Sequence, residues 1–80
     1  MIHEIKNRYE LTVQEFVKEF GLEQEFEKQF GTTVWEWDND MDGADVVEMM
    51  LEKYRPENNY VIVGNEHKMI TNEYIEIIEI

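Results

Sequence analysis

The sequence has neither cysteine nor serine, so the two side chains that most often act as nucleophiles in covalent catalysis are missing. Without cysteine, no disulfide or thiolate zinc site can stabilise the 80-residue chain. The four glycines are scattered, and the phosphate-binding patterns GxGxxG and GxxxxGK do not occur. Its two histidines, His3 and His67, fall near the terminus and in a predicted turn. We therefore expect a protein that is not an enzyme and holds no cofactor.

Long apolar runs are also missing. No segment approaches the about 18 apolar residues of a membrane span, and the first residues, MIHEIKNRYE, carry charges where a signal peptide needs an apolar stretch. The absence of cysteine fits a reducing compartment. There is no repeat, low-complexity tract or linker, and the apolar content suffices for one packed core. These features predict one compact domain over residues 1–80, soluble and cytoplasmic.

Positive charge is scarce: 7 Lys and Arg stand against 19 Asp and Glu, a formal net charge of −12. No basic residue lies between Lys28 and Lys53. Nucleic acids and anionic membranes repel such a chain, because binding to either depends on basic residues. A basic protein surface, by contrast, is attracted at long range. The lysine-free segment holds seven acids, which are Glu36, Asp38, Asp40, Asp42, Asp45, Glu48 and Glu52.

Three helices are predicted from apolar spacing. Thr12 followed by Glu15 is a capping-box signal for the first, which Gly21 ends. The second has apolar residues four apart and ends at Gly31. The third follows the acidic loop, and Pro56 stops it. Its apolar stripe is Val47, Met50, Leu51 and Tyr54, whereas its acids, Asp45, Glu48 and Glu52, fall on a separate face.

Strands are predicted where β-branched and aromatic residues alternate. TTVWEWD would place Trp35 and Trp37 on one face. NYVIVG, NEHK and MIT indicate a hairpin with its turn at Gly64-Asn65. YIEIIEI is assigned as a final strand, although Ile77-Ile78 breaks its alternation. The expected fold is α+β, with about three helices packed on a small, mainly antiparallel sheet of three to four strands.

The segment LTVQEFVKEFGLEQEFEKQFG resembles a helix-turn-helix, with Gly21-Leu22 where such a motif turns. The resemblance would imply that the second helix enters the major groove of DNA. That helix carries Glu23, Glu25 and Glu27 against Lys28 alone, so phosphates would repel it. Two helices joined at a glycine is the interpretation that the charges favour.

The stretch DNDMDG resembles the start of EF-hand calcium loops, in which alternate carboxylates converge on one ion. The resemblance would place Asp38, Asp40 and Asp42 at the first, third and fifth positions and Gly43 at the sixth. Met49 stands where the closing bidentate Glu is required, so a weak site would use Glu48. The alternative is structural: Asp42 caps the third helix and Gly43 turns the chain.

A third interpretation treats the acids as one surface. Carboxylates at alternate extended residues lie about 6.6 Å apart on one side, and the third helix continues the track. Such a track could imitate a nucleic-acid backbone, with Trp35 and Trp37 as aromatic anchors. Mutual repulsion within the track costs stability, which favours a role in binding.

The leading functional hypothesis is a small acidic inhibitor that blocks the basic site of a nucleic-acid-processing enzyme. In size, charge and lack of catalytic residues, the chain is similar to acidic proteins that phages and mobile elements carry against CRISPR and restriction effectors. The contact residues would be the seven acids with Trp35 and Trp37. A calcium-binding module and a toxin-neutralising immunity protein are the alternatives. Residues 74–80 could support a homodimer if their strand lies at a sheet edge.

Overall fold

A computed structural model of the chain describes residues 5–37, 42–63 and 74–80. Within these ranges it contains three helices and a three-stranded antiparallel sheet, so the predicted α+β class is confirmed. The elements in chain order are β1 (Asn7–Leu11), α1 (Val13–Glu19), α2 (Glu23–Phe30), α3 (Gly43–Tyr54), β2 (Tyr60–Val63) and β3 (Ile75–Glu79). The predicted turn at Gly64-Asn65, the MIT strand, His3 and His67 lie outside the described residues.

The boundaries of α1 and α2 follow from local capping. Thr12 Oγ1 accepts a hydrogen bond from the backbone N–H of Glu15 at 3.2 Å, and the Glu15 carboxylate accepts one from the Thr12 N–H at 3.1 Å. This is the predicted capping box. Gly31 ends α2 in the left-handed conformation, with φ of 74° and its N–H donated to the Glu27 carbonyl. A side chain at this φ would be strained, which explains the glycine.

The strands are arranged in the order β1-β3-β2. Tyr9 faces Ile77 across one ladder, and Ile62 faces the same residue across the other. Both edges of β3 are therefore hydrogen-bonded, so the strand lies at the centre of the sheet. The predicted homodimer through residues 74–80 required an open sheet edge there. That condition is not met, because β3 is paired on both sides within the chain.

In the described part of the chain, one face of the sheet packs on the helices and the other is not covered by a helix. Ile75 and Ile77 are fully buried on the helix side, and Ile62 packs against the same core. Ile78 projects to the opposite face, where it pairs with Val61 and stays partly exposed. The Ile77-Ile78 pair thus serves both faces of one strand, which is why it interrupts the alternation seen in the sequence.

The core is apolar throughout the described residues. Its central side chains come from all three helices and from β3, with Phe16, Phe26 and Met50 fully buried. Aromatic rings make much of this contact: Phe26 lies 4.5 Å from Phe30 and 5.8 Å from Trp37 between ring centroids. Since α2 has one fully buried side chain, Phe26 is the main anchor of that helix.

Residues 33–37 differ from the prediction of a strand. The Glu36 N–H donates to the Thr33 carbonyl at 3.2 Å, and residues 34–36 form a turn. The turn sends the two tryptophans in different directions. Trp35 is 62% exposed, whereas Trp37 is 7% exposed and belongs to the core. The predicted strand at this position is therefore wrong, because burial of Trp37 against Phe26 requires the chain to turn.

Tyr9 predicts a loss of stability at high pH. Burial beside Phe20, 5.3 Å away between ring centroids, and then the Glu79 carboxylate raise the pKa of Tyr9 above its ordinary value of 10.0. A phenol with a raised folded-state pKa stabilises the fold below pH 10, and this contribution is lost as the pH rises through the folded-state pKa. Urea unfolding at pH 8 to 11 should show a smaller alkaline loss for Tyr9→Phe than for the unmodified protein. Equal losses would contradict this role of Tyr9.

Among the described residues, none of the helices has the length and apolar character required to cross a bilayer.

Candidate functional site

The exposed side of α3 carries three carboxylates in one row, which we call the acidic ridge: Asp45, Glu48 and Glu52. All three are exposed. Residues three and four apart lie on the same side of a helix, with Cβ atoms about 5–6 Å apart, so the ridge is a continuous strip of negative charge. The opposite side of α3 buries Val46, Val47, Met50 and Leu51, which fixes the direction in which the ridge faces. The predicted separation of acidic and apolar sides is present.

Asp42 stands at the start of the ridge but has a structural task. It is the N-cap of α3, and its Oδ1 accepts a hydrogen bond from the Ala44 N–H at 2.9 Å. The side chain is half-buried, whereas the ridge carboxylates are exposed. A carboxylate at this position also interacts favourably with the positive end of the helix dipole. Asp42 therefore stabilises the helix that presents the ridge.

The cap can be separated from the charge by substitution. Asp42→Ala should destabilise the protein by about 0.5–2 kcal/mol, because the N–H of Ala44 loses its acceptor. Asp42→Asn should cost much less, since asparagine caps helices about as well as aspartate. Urea unfolding of both variants measures the difference. Equal losses would show that the charge of Asp42, rather than its hydrogen bond, stabilises α3.

The basic residues that follow the ridge are engaged elsewhere. Lys53 Nζ donates to Gln29 Oε1 at 2.7 Å, and Arg55 Nη2 donates to the Phe20 carbonyl at 3.3 Å. The Arg55 guanidinium also lies 5.4 Å from the centroid of the Phe20 ring. Within the described ranges, the one ion pair joins Arg8 to Glu76 on the sheet. No Lys or Arg of these ranges forms a salt bridge with a ridge carboxylate.

The other predicted contact residues divide between surface, core and undescribed segments. Glu36 is exposed on the turn before residue 38, and Trp35 beside it is exposed as well. Trp37 offers no surface to a partner, and its indole N–H is buried without a hydrogen-bond acceptor among the described residues. Asp38 and Asp40 lie outside the described residues. The structure thus brings Asp42 and the acidic ridge together on one helix, with Trp35 and Glu36 on a separate element.

The ridge borders a groove of about 860 Å³. Glu48 and Glu52 line it from α3, together with apolar side chains that sequence reasoning did not group with them. These are Leu51, Tyr60, Ile62 and Ile80. Two of the ridge carboxylates therefore stand beside an apolar surface.

The groove could not be predicted from the sequence. Its apolar residues come from α3, β2 and the end of the chain, so they meet only because α3 packs beside β2. The available signal was the position of Leu51 in the apolar stripe, directly before Glu52. That spacing places a carboxylate next to a buried side chain but does not reveal the strand beside it.

The described residues contain no group of three or more His, Cys, Asp or Glu side chains that could hold a metal ion. Of the residues in the calcium hypothesis, Asp42 and Glu48 are described, and Asp42 is engaged as a helix cap. Asp38 and Asp40 lie outside the described ranges, so the calcium hypothesis stays a prediction.

Comparisons of the chain with protein-family models, with curated proteins and with solved structures gave no match. Function is therefore inferred from the geometry and charge of the surface itself.

Proposed function

We propose that this protein is a small acidic inhibitor, carried by a phage or mobile element, that binds the basic nucleic-acid site of a host defence enzyme. A CRISPR effector or a restriction enzyme is the class of target that fits. The observation that carries the proposal is the acidic ridge, whose exposed carboxylates have no ion-pair partner in the described residues. The inhibitor would act in the cytoplasm by excluding the substrate, without catalysis.

Repulsion between the carboxylates of the ridge opposes folding, although the dipole of α3 favours Asp45 in its first turn. Like charges at helix spacings of three and four residues destabilise a helix by about 0.2–0.5 kcal/mol per pair. Glu48 and Glu52 form such a pair, and Asp45 adds a second with Glu48. Contact with cations of a partner would remove this repulsion. The ridge therefore gains more from a basic partner than from solvent.

Charge also accounts for how a small protein competes with nucleic acid. A formal net charge of −12 attracts a basic channel at long range and raises the rate of encounter. Once bound, the ridge would occupy the Lys and Arg side chains that otherwise contact phosphates. Trp35, exposed on the turn over residues 34–36, is a candidate aromatic anchor on a separate element.

Competition with DNA tests the proposal. A fluorescently labelled duplex is bound to a CRISPR effector nuclease or a restriction endonuclease, and the protein is titrated against the complex while anisotropy is followed. With a target enzyme, we expect the DNA to be displaced, with an apparent inhibition constant that rises with the DNA concentration. Displacement should weaken between about 0.05 M and 0.5 M salt, because screening shortens the range of charge interactions.

The control is the labelled duplex without enzyme, whose anisotropy should not change. Direct binding of the protein to DNA would contradict the proposal. So would inhibition that is independent of the DNA concentration, and so would a failure to displace DNA from any enzyme of either class.

A further inference from the structure

The groove beside the acidic ridge combines two kinds of surface. Glu48 and Glu52 line it as exposed carboxylates, and Ile62 and Ile80 line it as partly exposed apolar side chains. Tyr60 adds a half-buried aromatic ring. An occupant that contacts both surfaces would be cationic where it meets Glu48 and Glu52 and apolar where it meets Ile62 and Ile80.

The net charge of the chain favours a cation over an anion in the groove. Lys6 and Arg55 also line it and balance Glu48 and Glu52 in formal charge, and Arg55 is held by the Phe20 carbonyl and ring. Neither Lys6 nor Arg55 forms a salt bridge with Glu48 or Glu52 among the described residues. The field of the whole chain, with its excess of carboxylates, attracts cations. A nucleic acid or an acidic peptide would meet repulsion from this field.

We infer that the groove binds a short segment of a partner protein in which arginine or lysine alternates with an apolar residue. The cationic head contacts Glu48 and Glu52, and an arginine can donate hydrogen bonds to both carboxylates through its planar set of N–H groups. The apolar neighbour packs on Ile62 and Ile80, where it covers exposed apolar surface. This inference rests on the proposed function, because it describes the segment of the basic partner that the ridge would contact.

A blocked synthetic peptide in which leucine and arginine alternate tests the inference without the partner enzyme. The peptide is titrated into isotope-labelled protein and followed by methyl and amide NMR. We expect saturable changes in the chemical shifts of Leu51, Ile62 and Ile80. A peptide with serine in place of leucine keeps the charge and should bind about tenfold more weakly. A peptide with glutamate in place of arginine should not bind.

Protein variants provide the matched test. Glu48→Gln/Glu52→Gln should weaken binding of the leucine-arginine peptide about tenfold, and Ile80→Thr should weaken it several-fold. Val63→Thr, an exposed residue that does not line the groove, should leave it unchanged. Amide spectra of each free variant verify that the fold is retained.

Several results would overturn the inference: equal binding of the serine and leucine peptides, the largest shifts on the opposite face of the sheet, no saturable shift, or self-association through the groove. These results are distinct from a failure of the proposed function. If the peptide binds the groove but no enzyme loses its DNA, the inferred peptide site is supported and the inhibitor proposal fails. If an enzyme loses its DNA while the peptide does not bind, the inhibitor proposal is supported and the inferred peptide site fails.

Discussion

Neutralising the acidic ridge with Asp45→Asn/Glu48→Gln/Glu52→Gln is expected to weaken binding to the target enzyme by about 100-fold. Exposed ion pairs contribute up to about 1 kcal/mol each, so three of them contribute up to about 3 kcal/mol, or about two orders of magnitude in the dissociation constant. The variant should also lose part of its salt dependence, because fewer charges form ion pairs on binding. Anisotropy competition at two salt concentrations measures both effects.

The matched control is Glu19→Gln/Glu23→Gln/Glu27→Gln. It removes the same number of charges from exposed positions on α1 and α2, and Glu23 lies in the first turn of its helix, as Asp45 does. We expect this control to weaken binding only slightly, through the smaller net charge. Equal losses in the two triple variants would mean that the partner senses total charge rather than the ridge.

The ridge variant should remain folded, which keeps the binding result interpretable. Its three side chains are exposed and form no salt bridge in the described residues. Surface substitutions of this kind usually change stability by less than about 0.5 kcal/mol. Removal of like-charge repulsion partly offsets the lost interaction of Asp45 with the helix dipole. A large drop in the urea midpoint would assign the ridge a structural role that the geometry does not support.

Phe26→Ala should produce the largest loss of stability among single substitutions in α2. The side chain is fully buried and contacts both Phe30 and Trp37, so its removal loses apolar burial and leaves a cavity. Substitutions of this type cost about 3–5 kcal/mol. The free energy of unfolding of a small domain is about 5–15 kcal/mol, so the variant would be marginally folded. Urea unfolding followed by circular dichroism measures the loss.

Two further variants keep this prediction testable if Phe26→Ala does not fold. Phe26→Leu retains much of the volume and should cost about 1–2 kcal/mol. Phe30→Ala removes the same atoms from a partly exposed position and should cost clearly less than Phe26→Ala. A loss below about 1 kcal/mol for Phe26→Ala would contradict the position of Phe26 as the anchor of α2.

The helices could be predicted because their signals are local. The capping box of Thr12 and Glu15, the glycine after each of the first two helices and the cap at Asp42 all act within a few residues. β3 could be assigned because isoleucine and its alternation with glutamate favour a strand. The acidic side of α3 followed from helix periodicity alone.

The first strand could not be assigned in the same way. β1 has the sequence NRYEL, in which Tyr9 and Leu11 face the core and Arg8 and Glu10 face away. A short alternation with two apolar residues is a weak signal. The stability of the strand depends on pairing with β3, which lies about 65 residues further along the chain.

The environment of the tryptophans also depends on distant contacts. The alternation of Trp35 and Trp37 is that of a strand, yet residues 34–36 turn so that Trp37 reaches Phe26 and Phe30. Burial of a large aromatic side chain outweighs the strand propensity of TTVWEW. As a result Trp35, and not Trp37, is on the surface and available to a partner.

Carboxylate footprinting of the enzyme-bound protein tests the central claim most directly. Carbodiimide-coupled labelling with glycinamide, read by mass spectrometry, reports which carboxylates are accessible in the free and bound protein. We predict that Asp45, Glu48 and Glu52 become protected by a target enzyme, whereas Glu19, Glu23 and Glu27 keep their reactivity. Protection of α1 and α2 with an unchanged ridge would contradict the account, because the partner would then contact a different surface.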